Sequence, residues 1–180
     1  PIAGDGDLGA RFVELIDPIR YPEDGLDDAH LREIRRIKAR VETERMPRGT
    51  DPHRNLKLGP GGLADVEWTA QLLQLRYAHA EPGLRTPRTR AALQAAVDAG
   101  LLATADRDTL IEAWRFAMSV RNATTLVRGK ASDTLPGPGR DLAGTALGAG
   151  YDPTNAGRLE DDYRRAARHA RSVVEREFYR

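Results

Sequence analysis

The sequence predicts an all-α fold, a helical bundle with mostly antiparallel neighbours. Apolar residues recur at three- and four-residue spacing through most of the 180 residues. No stretch alternates apolar with polar as a half-buried strand does. Pro and Gly cluster between the periodic segments, and short polar residues stand where helices would begin.

The chain opens on Pro-Ile-Ala-Gly-Asp-Gly-Asp, which reads as a loose lead cut from something longer. Residues 1–10 are expected to be a linker and 11–180 one helical domain. Residues 11–17 carry Phe12, Val13, Leu15 and Ile16 and predict a short helix ended by Pro18 and Pro22. Asp27 or Asp28 caps a helix to about residue 44, with an apolar stripe at Leu31, Ile34, Ile37 and Val41. Residues 46–60 hold Pro47, Gly49, Pro52 and Gly59 and predict a loop. Gly61-Gly62 opens a helix over 63–80 that is apolar on most sides, as suits the centre of a bundle. Thr86, with Pro87 at the first position, starts a helix ending at Gly100. Thr104 starts a long helix to about residue 128, with Asp106 and Asp108 favoured by its dipole. A loop over 129–140, a short helix over 141–147 and a last helix capped by Asp152 or Asn155 complete five long and two short helices.

The charge balance narrows the function. Lys+Arg is 28 and Asp+Glu is 27, so the net charge of +1 argues against a general nucleic-acid binder. No cysteine is present, which excludes disulfide scaffolds and thiol catalysis. His30, His53, His79 and His169 lie far apart and do not propose a metal site. No apolar run approaches the ~20 residues of a membrane span, and a cytoplasmic protein without membrane contact is expected.

Two segments could carry chemistry. In Asn-Leu-Lys-Leu-Gly-Pro-Gly-Gly-Leu-Ala-Asp-Val-Glu-Trp, residues 55–68, Lys57 precedes a glycine turn that opens a helix. Such a turn can aim backbone N–H groups at an anion. It lacks the P-loop order, and the glycines could equally serve a tight, closely packed entry. Asp65 and Glu67 point to different helix faces and make a poor acid/base pair. The second segment runs over 32–57, where nine basic residues oppose four acids. Arg32, Arg35, Arg36, Lys38 and Arg40 form a candidate basic docking face, or a solvated face with internal pairs such as Arg40–Glu44. Asp5 and Asp7 could pair on a metal but sit in the lead. Trp68, Trp114 and Tyr77 read as core. Ser119, Ser132 and Ser172 show no nucleophile elbow.

The runs Asp-Pro-Ile-Arg-Tyr-Pro (17–22), Leu-Arg-Glu-Ile-Arg-Arg-Ile-Lys-Ala-Arg-Val (31–41), Lys-Leu-Gly-Pro-Gly-Gly-Leu-Ala-Asp-Val-Glu-Trp (57–68) and Gln-Leu-Leu-Gln-Leu-Arg-Tyr-Ala-His-Ala (71–80) resemble the C-terminal helical domain of bacterial glutamine synthetase adenylyltransferases, closest to the actinobacterial form. Leu63 and Trp68 stand where that family usually has Ile and Phe. The resemblance implies a parent that moves AMP from ATP, with Mg²⁺, onto glutamine synthetase and also removes it. It implies glutamine and a PII-type signal protein as regulators, and an upstream nucleotidyltransferase domain. No Gly-Ser turn followed by an Asp-x-Asp strand occurs here, so the resemblance implies an accessory and regulatory domain that is not catalytic alone. No catalytic or metal residue is assigned. Lys57, Gly59, Gly61, Gly62, Asp65 and Glu67 are candidates to face a nucleotide or a domain interface. The alternative is a self-sufficient nucleotide- or protein-binding module using the basic face between Arg32 and Lys57.

Overall fold

The computed structural model describes residues 3–179; Pro1 and Ile2 of the expected lead, and Arg180, lie outside it. Seven α-helices form among these residues: α1 (Gly6–Arg20), α2 (Asp28–Arg45), α3 (Leu63–Tyr77), α4 (Thr89–Asp98), α5 (Thr104–Arg128), α6 (Arg140–Gly148) and α7 (Gly157–Glu177). No strand forms among them. Asn55 and Thr134 make one isolated antiparallel bridge. The all-α bundle expected from periodicity is the fold.

Helix α5 passes between two apolar clusters. One gathers Val66, Leu72 and Leu73 of α3, Leu93 of α4, Leu110 of α5, and Val173, Val174 and Phe178 at the end of α7. The other gathers Leu56 and Leu63 at the entry to α3, Val120 of α5, Leu142 and Ala146 of α6, and Leu159 and Tyr163 of α7. Trp114 touches both, so α5 and α7 join the two halves of the core.

Several boundaries differ from expectation, each for a local reason. Helix α1 starts at Gly6, because the Asp5 carboxylate accepts the Asp7 and Leu8 N–H groups at 2.9 and 3.1 Å. Asp5 is therefore a cap, and residues 6–10 are helical rather than loose. Pro18 lies inside α1, in its last turn, and the helix closes on Tyr21 N–H donating to Asp17 O at 2.8 Å. Thr86 does not cap α4. Gln74 Nε2 donates to the carbonyls of Leu84 and Thr86 at 2.7 and 2.6 Å, which fixes that segment ahead of the helix. Asp152 caps a 3₁₀ turn, Pro153–Asn155, and α7 begins after it.

The buried face of α2 is rotated from the expected stripe. Ile37 is 36% exposed, while Lys38 is 1% exposed, one heptad after buried Leu31. A lysine thus occupies the position where the pattern calls for an apolar residue.

Candidate functional site

The 55–65 segment folds into a knot that uses its own polar groups. Asn55 Oδ1 accepts the N–H groups of Lys57 and Leu58 at 3.0 and 2.8 Å. Gly59 N–H donates to Asn55 O, Gly62 N–H to Gly59 O, Leu63 N–H to Leu56 O and Ala64 N–H to Lys57 O, all between 2.9 and 3.1 Å. Gly61 N–H donates to Asp65 Oδ2 at 2.7 Å. The donors that would cradle a phosphate are spent internally. Glycine is required at all three positions, and a Cβ on Gly62 would meet the carbonyl oxygens of Leu56 and Gly59. Gly61 has φ +72°, and a Cβ there would run into the Ala167 carbonyl of α7. A Cβ on Gly59 would meet the carbonyl oxygens of Pro52 and Asn55.

Asp65 is the hub. It is 1% exposed. Lys38 Nζ from α2 donates to its Oδ1, and Arg171 from α7 donates to its Oδ2 at 3.1 Å. Lys38 also donates to Glu42 and, at 3.3 Å, to the Tyr179 hydroxyl. Its ammonium lies over the rings of Phe178 and Tyr179, 5.4 and 5.5 Å from their centroids. The Arg171 guanidinium lies 5.2 Å from the Tyr179 centroid and donates to Glu175 at 3.0 Å. Arg35 Nε adds a bond to Phe178 O at 2.7 Å. Helix α2, the glycine turn and the end of α7 are therefore fastened by one charged cluster.

The electrostatics follow from that geometry. Burial opposes ionisation of Asp65, but Lys38, the Gly61 N–H and Arg171 outweigh it and hold the carboxyl below its ordinary range. Burial likewise opposes the Lys38 charge, and the Asp65 and Glu42 carboxylates overcome it and lift its pKa. Glu42 is pushed up, by burial first and by the Asp65 charge, against the pull of Lys38. Tyr163 donates to Asn55 O at 3.3 Å, and its phenol is raised by burial and the nearby Asp65 charge.

The candidate residues separate accordingly. Gly59, Gly61, Gly62 and Asp65 are buried within the chain. Glu67, half-buried, accepts from Trp114 Nε1 at 3.2 Å. Lys57 alone of the six is exposed. On the expected basic face, Lys38 is withdrawn into the core, and Arg36 and Arg40 pair along the helix with Glu33 and Glu44. Arg32 remains exposed. Arg54 turns inward to Glu160 and Pro136 O. Sequence reasoning missed Glu42, Arg171 and Tyr179. The local signals were the i,i+4 spacings of Lys38–Glu42 and Arg171–Glu175, whereas Asp65 meets its cations across 27 and 106 residues. Among the described residues, no three His, Cys, Asp or Glu side chains converge as metal ligands, and no helix is long and apolar enough to cross a membrane.

A family model described as GlnD PII-uridylyltransferase matches residues 34–178. The chain is 59% identical over 178 residues to a bifunctional glutamine synthetase adenylyltransferase/adenylyl-removing enzyme of Streptomyces avermitilis, and 59% identical to one of Streptomyces coelicolor. It is 53% identical over 177 residues to one of Mycolicibacterium smegmatis. These matches cover 98–99% of this chain but 18% of each relative's length.

Proposed function

This chain belongs to the GlnD PII-uridylyltransferase family and matches a segment of bifunctional glutamine synthetase adenylyltransferase/adenylyl-removing enzymes, and from that premise we propose that it is a helical accessory domain of such an enzyme. In this reading it sits beside a nucleotidyltransferase domain, and residues near its start link the two. The parent adds AMP to glutamine synthetase and removes it, in the cytoplasm, using ATP and Mg²⁺ bound elsewhere. Glutamine and a PII-type protein set the direction.

The observation that carries the accessory role is the state of Asp65. It is the buried acid of the glycine-turn segment, and both its oxygens are committed to cations and to a backbone N–H inside the fold. A carboxylate that clamps metal or takes a proton needs an oxygen turned toward substrate. Here the segment supports a rigid joint between α2, α3 and α7 instead.

The test is AMP incorporation. The 180-residue chain is mixed with radiolabelled ATP, Mg²⁺ and glutamine synthetase, beside a polypeptide of the relatives' full length. Label should enter glutamine synthetase only with the full-length protein. Incorporation by the chain alone at the full-length rate overturns the reading.

A further inference from the structure

Helix α1 is built oppositely to the rest of the chain. None of its residues is buried. Leu8, Phe12, Leu15 and Ile19 are 65%, 59%, 72% and 79% exposed. Their spacing of four, three and four residues places them along one stripe, the a/d seam of a two-helix coiled coil. An isolated helix of 15 residues is marginal in water. Its Asp5 cap and its first-turn Asp7 support only the start. At the other end Tyr21 is buried, with the guanidinium carbons of Arg20 and Arg85 at 4.9 and 5.3 Å from its ring centroid, so α1 is anchored by one terminus.

We propose that the stripe of Leu8, Phe12, Leu15 and Ile19 is an intramolecular docking seam, covered by an amphipathic helix from the part of the parent polypeptide outside this chain. The inference rests on the accessory-domain reading. Two quantities select this occupant over a second copy. Self-pairing would bury four apolar side chains from each helix, on the order of 800 Å² in total, while stable interfaces between separate molecules need about 1,200 Å² or more. A tethered partner escapes that requirement, because its effective concentration is in the millimolar range for a short linker. The matched relatives supply the tether, since this chain spans 18% of their length. The apolar character of the stripe selects an apolar partner face, not a nucleotide or acidic protein.

Hydrogen exchange measured by mass spectrometry tests the seam. Amides of residues 8–20 are compared in the 180-residue chain and in a polypeptide of the relatives' full length. Exchange there should slow by about 100-fold in the full-length protein. The double variant Leu15→Glu, Ile19→Glu should restore fast exchange in 8–20 while leaving α5 protected. Equal exchange in both polypeptides overturns the proposal. So does concentration-dependent dimerisation of the chain alone, seen by sedimentation and abolished by the same variant, which would make a second copy the occupant. Binding of the chain alone to phosphatidylcholine vesicles, abolished by the variant, would overturn it in favour of a lipid surface. The readout is independent of AMP transfer. A full-length protein that fails to transfer AMP but protects α1 removes the proposed function and keeps the seam.

Discussion

The glycine turn and helix α1 solve opposite problems. The turn contains three glycines, a lysine and two acids, a composition that suggests an open ligand cradle, yet its groups other than the Lys57 side chain are consumed within the fold. Helix α1 looks like an unremarkable lead, yet it presents four large apolar side chains to solvent. The segment whose composition suggests a ligand site is thus turned inward, and the segment with least internal support is the one shaped for contact. A strong sequence mark need not be a site: specificity in a motif can come from backbone close approach and from a buried charge that only one partner set can satisfy.

The largest break in this comparison is expected from Asp65→Ala. It leaves Lys38 buried without its carboxylate and frees the Gly61 N–H. Removing one partner of a buried ion pair costs about 3–5 kcal/mol. Glu42 still faces Lys38 and moderates the loss. Urea denaturation of the chain should show a drop of about 4 kcal/mol; a change under 1 kcal/mol would mean that the cluster is not holding α2 to α7.

Gly61→Ala follows closely, at about 3 kcal/mol, because left-handed strain and overpacking against Ala167 O add. The control is Gly100→Ala. That glycine has φ +71° but nothing within 4 Å of a built Cβ, so it carries the strain alone. Thermal melting should rank Gly61→Ala clearly below Gly100→Ala, and equal losses would remove the close-approach argument.

What the sequence could and could not show follows the same division. Helix α2 was legible because Asp27 caps it through a local bond, its carboxylate accepting His30 N–H at 2.8 Å. Helix α5 was legible because Thr104 and the residues before Gly129 mark its ends, and it runs between them. Helix α1 was shortened in prediction at both ends, because residues 1–10 read as a loose linker and Pro18 read as a stop. Pro18 has no N–H for the Glu14 carbonyl, yet the helix runs on to Arg20 and closes through the Tyr21 N–H on Asp17 O. Lys38 was assigned to the solvent face because a charged side chain is seldom fully buried unless paired. Its pairing to Asp65 is a fact of tertiary structure with no spacing rule behind it. The glycines were noticed, but the purpose of Gly61 depends on α7, over 100 residues later.

The pH dependence sharpens the electrostatic half of the comparison. Asp65 is held below its ordinary pKa in the folded state. Its contribution is therefore present above the unfolded value of about 3.9 and is lost as pH falls through the folded value. Lys38 is raised, so its contribution holds below about 10.4 and fades as pH rises past the folded value. Glu42 is raised and runs the other way, binding its proton in the folded state first as pH falls. Stability measured by urea from pH 7 to pH 3 should fall more steeply in the native chain than in Asp65→Asn, by about 1 kcal/mol over the range. Parallel curves would place the acid sensitivity elsewhere.

The smallest expected effect is the most discriminating. Leu15 is 72% exposed and touches neither core cluster. Leu15→Glu in the 180-residue chain should change its unfolding free energy by no more than about 0.5 kcal/mol, the range for surface positions. In the urea experiment that registers the loss at Asp65, this variant should overlay the native curve. A drop of 2 kcal/mol or more would mean that α1 folds back on its own domain and that its apolar stripe is already covered. An unchanged curve leaves the two regions as opposites: one whose polar groups are satisfied within the chain, and one whose apolar surface is satisfied only by something outside it.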